Sequence, residues 1–144
     1  MVNIVLPVDF GEKTDHLVGA AIRFAKDMNG KIFLLHVAPS DIGFAIGDMG
    51  FQYFPEIEQN EIRDELNLLK SIGEKISDEG VPCEHLLTQG VAGDLILQHA
   101  GSVNADYIVL GSHGRSNMYD VFVGSLTKEI TRRSNIPVLV IPMH

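Results

Sequence analysis

Four short stretches of the chain are almost wholly apolar: Ile4–Val8, Ile32–Val37, Tyr107–Leu110 and Val138–Ile141, each rich in β-branched or aromatic residues and bounded by Pro, Gly or Asp. Their apolarity is continuous rather than alternating, the pattern of strands covered on both faces in a parallel sheet. A fifth, weaker strand is expected over Cys83–Thr88. Between the strands the period changes to that of helices. The first helix is expected to start at Thr14 as N-cap, to carry Leu17, Ala21, Phe24, Ala25 and Met28 on one face, and to stop at Asn29-Gly30. In the second, Ile62, Leu66, Leu69, Ile72 and Ile76 recur at three- and four-residue steps, with Arg63, Asp64, Lys70 and Glu74 facing out and Gly80 beyond the end. A third helix is expected from about Ala92 to Val103, and a fourth from about Ser125 to Ser134.

The alternation of strand and helix predicts one α/β domain over residues 1–144: a doubly wound, open, five-stranded parallel sheet with helices on both faces. Ligands of such sheets sit outside the strand C-termini, where the strand order reverses. If the first strand lies centrally beside the fourth, the loops bordering that crevice begin at Asp9 and Gly111.

Composition narrows the function classes. A chain of 144 residues buries a core without disulfides or structural metal, and its single cysteine, Cys83, admits no internal disulfide. Met1 to Val8 carry no basic leader or small-residue cleavage site, and no apolar run reaches the ~18 residues of a membrane span. The expectation is a soluble, cytoplasmic protein. A net charge of -8, from 11 basic and 19 acidic residues, disfavours nucleic acid as a partner, so any phosphate site must be local.

The chemistry concentrates after the fourth strand, where Gly111-Ser112-His113-Gly114-Arg115 is followed by Gly124-Ser125 at the head of the last helix. The spacing is Gly-x2-Gly-x9-Gly-Ser. Glycines let backbone approach a ligand closely, and the amides at a helix N-terminus present about half a positive charge to an anion. Gly124 and Ser125 would offer amides, the Ser125 hydroxyl a further donor, and Arg115 a local cation. The pattern is neither a P-loop nor a dinucleotide fingerprint. His113 has no nucleophile or second base arranged with it, so it is expected to shape the loop or touch ligand, and His36 is expected to be a strand-end residue. The histidines show no metal-ligand spacing.

These segments together resemble the universal stress protein family, in its ATP-binding branch. The matching residues are Pro7-Val8-Asp9-Phe10, Leu35-His36-Val37, Gly111-Ser112-His113-Gly114 through Gly124-Ser125, and Pro137-Val138-Leu139-Val140-Ile141-Pro142. The resemblance implies a Rossmann-like fold of the adenine nucleotide alpha hydrolase type and a regulatory role in the stress response. It also implies bound ATP with Mg2+ or Mn2+. Pro7, Val8, Asp9 and Val37 would border the adenosine, with Asp9 near the ribose and the Val37 backbone near the adenine. Gly111, Ser112, His113, Gly114, Arg115, Gly124 and Ser125 would line the phosphates. A homodimer through antiparallel pairing of Pro137 to Pro142 is implied as well, and it would cover an apolar edge that soluble proteins rarely leave bare. No catalytic residue and no protein metal ligand is expected.

Two other classes of function stay open from the residues alone. One is a slow ATPase or phosphotransferase, for which only Arg115 and backbone amides are credible participants. The other is a ligand-free interaction module using the apolar segment Asp41 to Pro55, which is too hydrophobic for a solvated loop and is expected to be local packing, a lid near the adenine, or a partner surface.

Overall fold

The protein was analysed as a computed structural model, which describes residues 1–39, 44–46, 56–112 and 124–143. Its elements are β1 (Val2–Pro7), α1 (Thr14–Met28), β2 (Gly30–Pro39), β3 (Phe44–Ile46), α2 (Glu56–Asp78), β4 (Cys83–Gly90), α3 (Ala92–Ser102), β5 (Tyr107–Gly111), α4 (Ser125–Arg133) and β6 (Val138–Ile141). The sheet order is β3-β4-β2-β1-β5-β6. Five strands run parallel, as the continuous apolar runs require, with β1 flanked by β2 and β5. Strand order therefore reverses at β1/β5, where Ile4 faces Tyr107 and Val5 faces Ile108.

One strand goes beyond the five expected. Phe44–Ile46 lies antiparallel on β4, with Ala45 opposite Thr88. Part of the apolar segment Asp41 to Pro55 thus adds to the sheet and covers what would otherwise be the bare edge of β4. The remainder of that segment lies outside the described residues.

Alternation along each strand sends side chains to two cores. Ile4, Leu6, Ile32 and Leu34 meet Val18 and Ala21 of α1 and Leu69 and Ile76 of α2. Val5, Leu35, Ile108 and Leu110 meet Ile96 and Ala100 of α3 and Ile130 of α4. Both faces are dry, which is why no polar alternation survives in the sequence.

One local expectation turns out differently. Thr14 is the first residue of α1 rather than its cap, because its hydroxyl donates back to the Gly11 carbonyl at 2.8 Å, and Lys13 holds the cap position. α2, for which the sequence set no start, begins at Glu56. The stop at Asn29 is as expected: it takes the left-handed conformation, φ 53°, that ends α1. Across the sheet, the Asn3 amide donates to Asp106 Oδ2 at 2.8 Å and its side-chain nitrogen donates to the Val103 carbonyl at 2.9 Å, fastening the start of β1 to the approach to β5. Among the described residues no helix is long and apolar enough to cross a membrane.

Candidate functional site

The crevice at β1/β5 is built from the backbone outward. β1 ends at Pro7, paired with Leu35 of β2, and the chain continues extended because the buried Val8 donates its amide to the Leu35 carbonyl at 2.8 Å. Asp9 then turns the chain. Its Oδ1 accepts the Gly11 amide at 3.0 Å, closing a short side-chain turn of the kind aspartate favours. Phe10 sits between them at φ 59°, a conformation rare for a bulky residue, with its ring 4.2 Å from the His36 ring. Val37 lies two strands from β5, on the α3/α4 side of the sheet, opposite Thr88 of β4. Pro7 ends β1, Val8 and Asp9 follow it, and Val37 lies near the C-terminal end of the adjacent β2.

On the other side of the crevice, Gly111 closes β5 opposite Ile141 of β6. Ser112 is the knot of this region. Its amide donates to the Ile141 carbonyl at 2.8 Å, its carbonyl accepts the Gly124 amide at 2.7 Å, and its hydroxyl accepts the Met143 amide at 3.0 Å. The two ends of the glycine signature therefore meet, with Gly124 at the head of α4 beside the end of β5. Buried Thr127 secures the junction by donating from Oγ1 to the Gly111 carbonyl at 2.8 Å. His113, Gly114 and Arg115 lie outside the described residues.

This geometry refines the phosphate half of the expectation. The Gly124 amide is engaged by Ser112, so the amides of α4 without an intrahelical partner begin at exposed Ser125. The first turn of α4 has no acidic residue and its last turn holds Arg132 and Arg133, two cations at the negative end of the helix dipole. Gly124 has φ -63° and ψ 157°, an extended conformation open to every residue type. Among the described glycines only Gly80 and Gly90 take positive φ, so backbone conformation does not demand glycine at 111 or 124.

Two features were not anticipated from sequence. The C-terminal segment runs back across the start of α1, where Lys13 Nζ donates to the Met143 carbonyl and His16 Nε2 donates to the Pro142 carbonyl at 2.9 Å. Buried Met143 after Pro142 was the available signal, an apolar residue beyond the last strand. His36 is not a simple strand-end residue either: it is 5 % exposed and bonded at both ring nitrogens.

The model of the universal stress protein family matches residues 1–142. The chain belongs to that family. It is 28% identical over 144 residues to the universal stress protein YxiE of Bacillus subtilis, covering 96% of this chain and 97% of the relative. It is 27% identical over 151 residues to the universal stress protein MJ0577 of Methanocaldococcus jannaschii, covering 96% of this chain and 93% of the relative. The solved structure of MJ0577 superposes with a TM-score of 0.75 at 25% identity, over 97% of this chain and 94% of that one. The universal stress protein from Archaeoglobus fulgidus, solved in complex with dAMP, has the same fold, with a TM-score of 0.66 at 22% identity over 98% of each chain. Within this universal stress protein, no group of three His, Cys, Asp or Glu side chains among the described residues is placed to hold a metal ion.

Proposed function

We propose that this universal stress protein is a regulatory binding protein for ATP, held in the β1/β5 crevice. The observation that carries the reading is Gly124. It stands at the head of α4, beside the end of β5, in an extended conformation that does not require glycine. What a missing Cβ does supply there is close approach of an anion to the free amides that follow. Pro7, Val8, Asp9 and Val37 would receive the adenosine, Asp9 through the ribose hydroxyls. Gly111, Ser112, Ser125 and the loop residues His113, Gly114 and Arg115 would receive the phosphates. The dAMP bound by the Archaeoglobus fulgidus protein supports an adenine nucleotide as the ligand class.

Mg2+ or Mn2+ would ride on the triphosphate oxygens and water rather than on protein ligands. Magnesium is well suited to this, since it retains waters and phosphate ligands more readily than it enters an all-protein cage. The role proposed is stress-linked regulation rather than turnover. It includes a homodimer formed along β6, whose outer edge carries no strand among the described residues.

The test is calorimetry and native mass spectrometry with Mg-ATP on the wild type and on Gly124→Val. The extended backbone at 124 accepts valine, so the variant is expected to keep its fold by circular dichroism and to lose ATP binding by at least tenfold. Absence of ATP binding by the wild type in both measurements overturns the reading.

A further inference from the structure

His36 joins three parts of the molecule at one buried side chain. Its Nδ1 lies 2.7 Å from the Val8 carbonyl oxygen, its Nε2 lies 2.5 Å from Glu65 Oε2 on α2, and its ring packs on Phe10. A carbonyl can only accept, so Nδ1 carries a hydrogen. Nε2 then faces a carboxylate oxygen, and two lone pairs cannot share 2.5 Å without repulsion. A second hydrogen must lie between the ring and the carboxyl. That Glu65 oxygen is buried and takes no other hydrogen bond, so the ring is the group that answers its burial.

The consequence concerns Asp9. The carbonyl gripped by His36 belongs to the peptide that leads into Asp9, and the ring beneath Phe10 supports the residue that follows it. Both sides of Asp9 are therefore held by one imidazole, itself held by α2. We propose that His36 and Glu65 are positioning residues of the nucleotide site: they set the pose in which Asp9 meets the ribose hydroxyls, and they make ribose recognition depend on the seating of α2. This rests on the nucleotide reading above. A pair serving only the core would lower stability and weaken all nucleotides alike, whereas a positioning pair acts through the ribose hydroxyls alone.

The geometry dictates which substitutions rescue. Glu65→Gln keeps a hydrogen between the two groups, because an amide N–H can donate to Nε2. Glu65→Ala removes it, and His36→Leu removes both bonds. The experiment measures affinities of the full chain for ATP and for 2′,3′-dideoxy-ATP by calorimetry. Wild type and Glu65→Gln are expected to prefer ATP. Glu65→Ala and His36→Leu are expected to lose about tenfold in ATP affinity, the usual scale for a misplaced charged hydrogen bond, with dideoxy-ATP affinity unchanged. Asp9→Ala should do the same, and combining it with His36→Leu should add nothing.

Equal losses for both nucleotides, or unchanged ATP affinity in His36→Leu and Glu65→Ala, overturn the proposal. Nitrogen-15 spectra of the wild-type ring provide a reading independent of any variant's folding. A hydrogen on Nδ1 supports the relay, and a ring bearing its hydrogen on Nε2 alone overturns it. Should the wild type bind neither nucleotide, the nucleotide reading itself falls and this inference with it. That outcome is visible in the wild type before any substitution is made.

Discussion

Cys83 illustrates how a single side chain's surroundings decide its chemistry. At the start of β4 it packs against the α1/α2 core, and burial is the main cause that pushes its thiol from 9.0 up to about 11, with neighbouring Glu84 adding to the rise. Only the thiolate is nucleophilic, and two units upward leave about 100-fold less of it at any pH below both values. Alkylation by iodoacetamide at pH 8 is therefore expected to run about 100-fold slower in the native protein than in urea. Comparable rates in the two conditions would contradict the buried, inert thiol. Other single residues were less legible. Thr14 reads as a cap because threonine at a helix start usually accepts an amide, yet here its hydroxyl donates to Gly11 instead. His36 reads as a strand end because its partners, Val8 and Glu65, lie 28 and 29 positions away and no local spacing marks them. The turn that Asp9 closes with the Gly11 amide uses only its own sequence neighbours, the short-range kind of contact a sequence displays.

Elements were read more securely than residues, because each apolar run reports on two buried faces at once. β1, β2, β5 and β6 follow from continuous apolarity, whereas β1 beside β5 was only a condition of the sequence reading and is shown by the pairing of Ile4 with Tyr107. β3 did not, because a three-residue strand within an apolar segment has too few positions to show a period. α2 offers a prediction at this scale. Its apolar stripe is interrupted by buried Gly73, whose added Cβ would lie 3.8 Å from Cys83 Sγ and 4.0 Å from Leu34 Cδ2, both ordinary contact distances. Glycine in a helix interior costs about 0.5–1 kcal/mol relative to alanine. Gly73→Ala is expected to stabilise the protein by that amount, read as a higher urea midpoint with an unchanged slope. A lower midpoint would mean that α2 and β4 have no room for a methyl group.

For the molecule as a whole, the open question raised by the sheet is its second edge. β3 covers β4 on one side, while β6 ends the sheet on the other with four partly exposed apolar residues, Val138 to Ile141. A charge on such an edge opposes strand pairing between copies. Val140→Lys is expected to convert the proposed dimer to a monomer, measured by size-exclusion chromatography with light scattering. A variant that stays dimeric would place the interface elsewhere.

The central position of β1 also orders events in time. β1 needs a neighbour, β5, that begins at Tyr107, and the bonds of Asn3 to Val103 and Asp106 span about the same stretch. At roughly 5–20 residues per second a ribosome takes roughly 5–20 s to make the intervening hundred or so residues. Throughout that interval β1 and β2 can pair, but the crevice has only one wall. Closing it requires contacts between distant parts of the chain, the kind whose loop entropy slows folding. The crevice thus takes shape only after β5 and the head of α4 have been made, and until then the proposed nucleotide site lacks one of its walls.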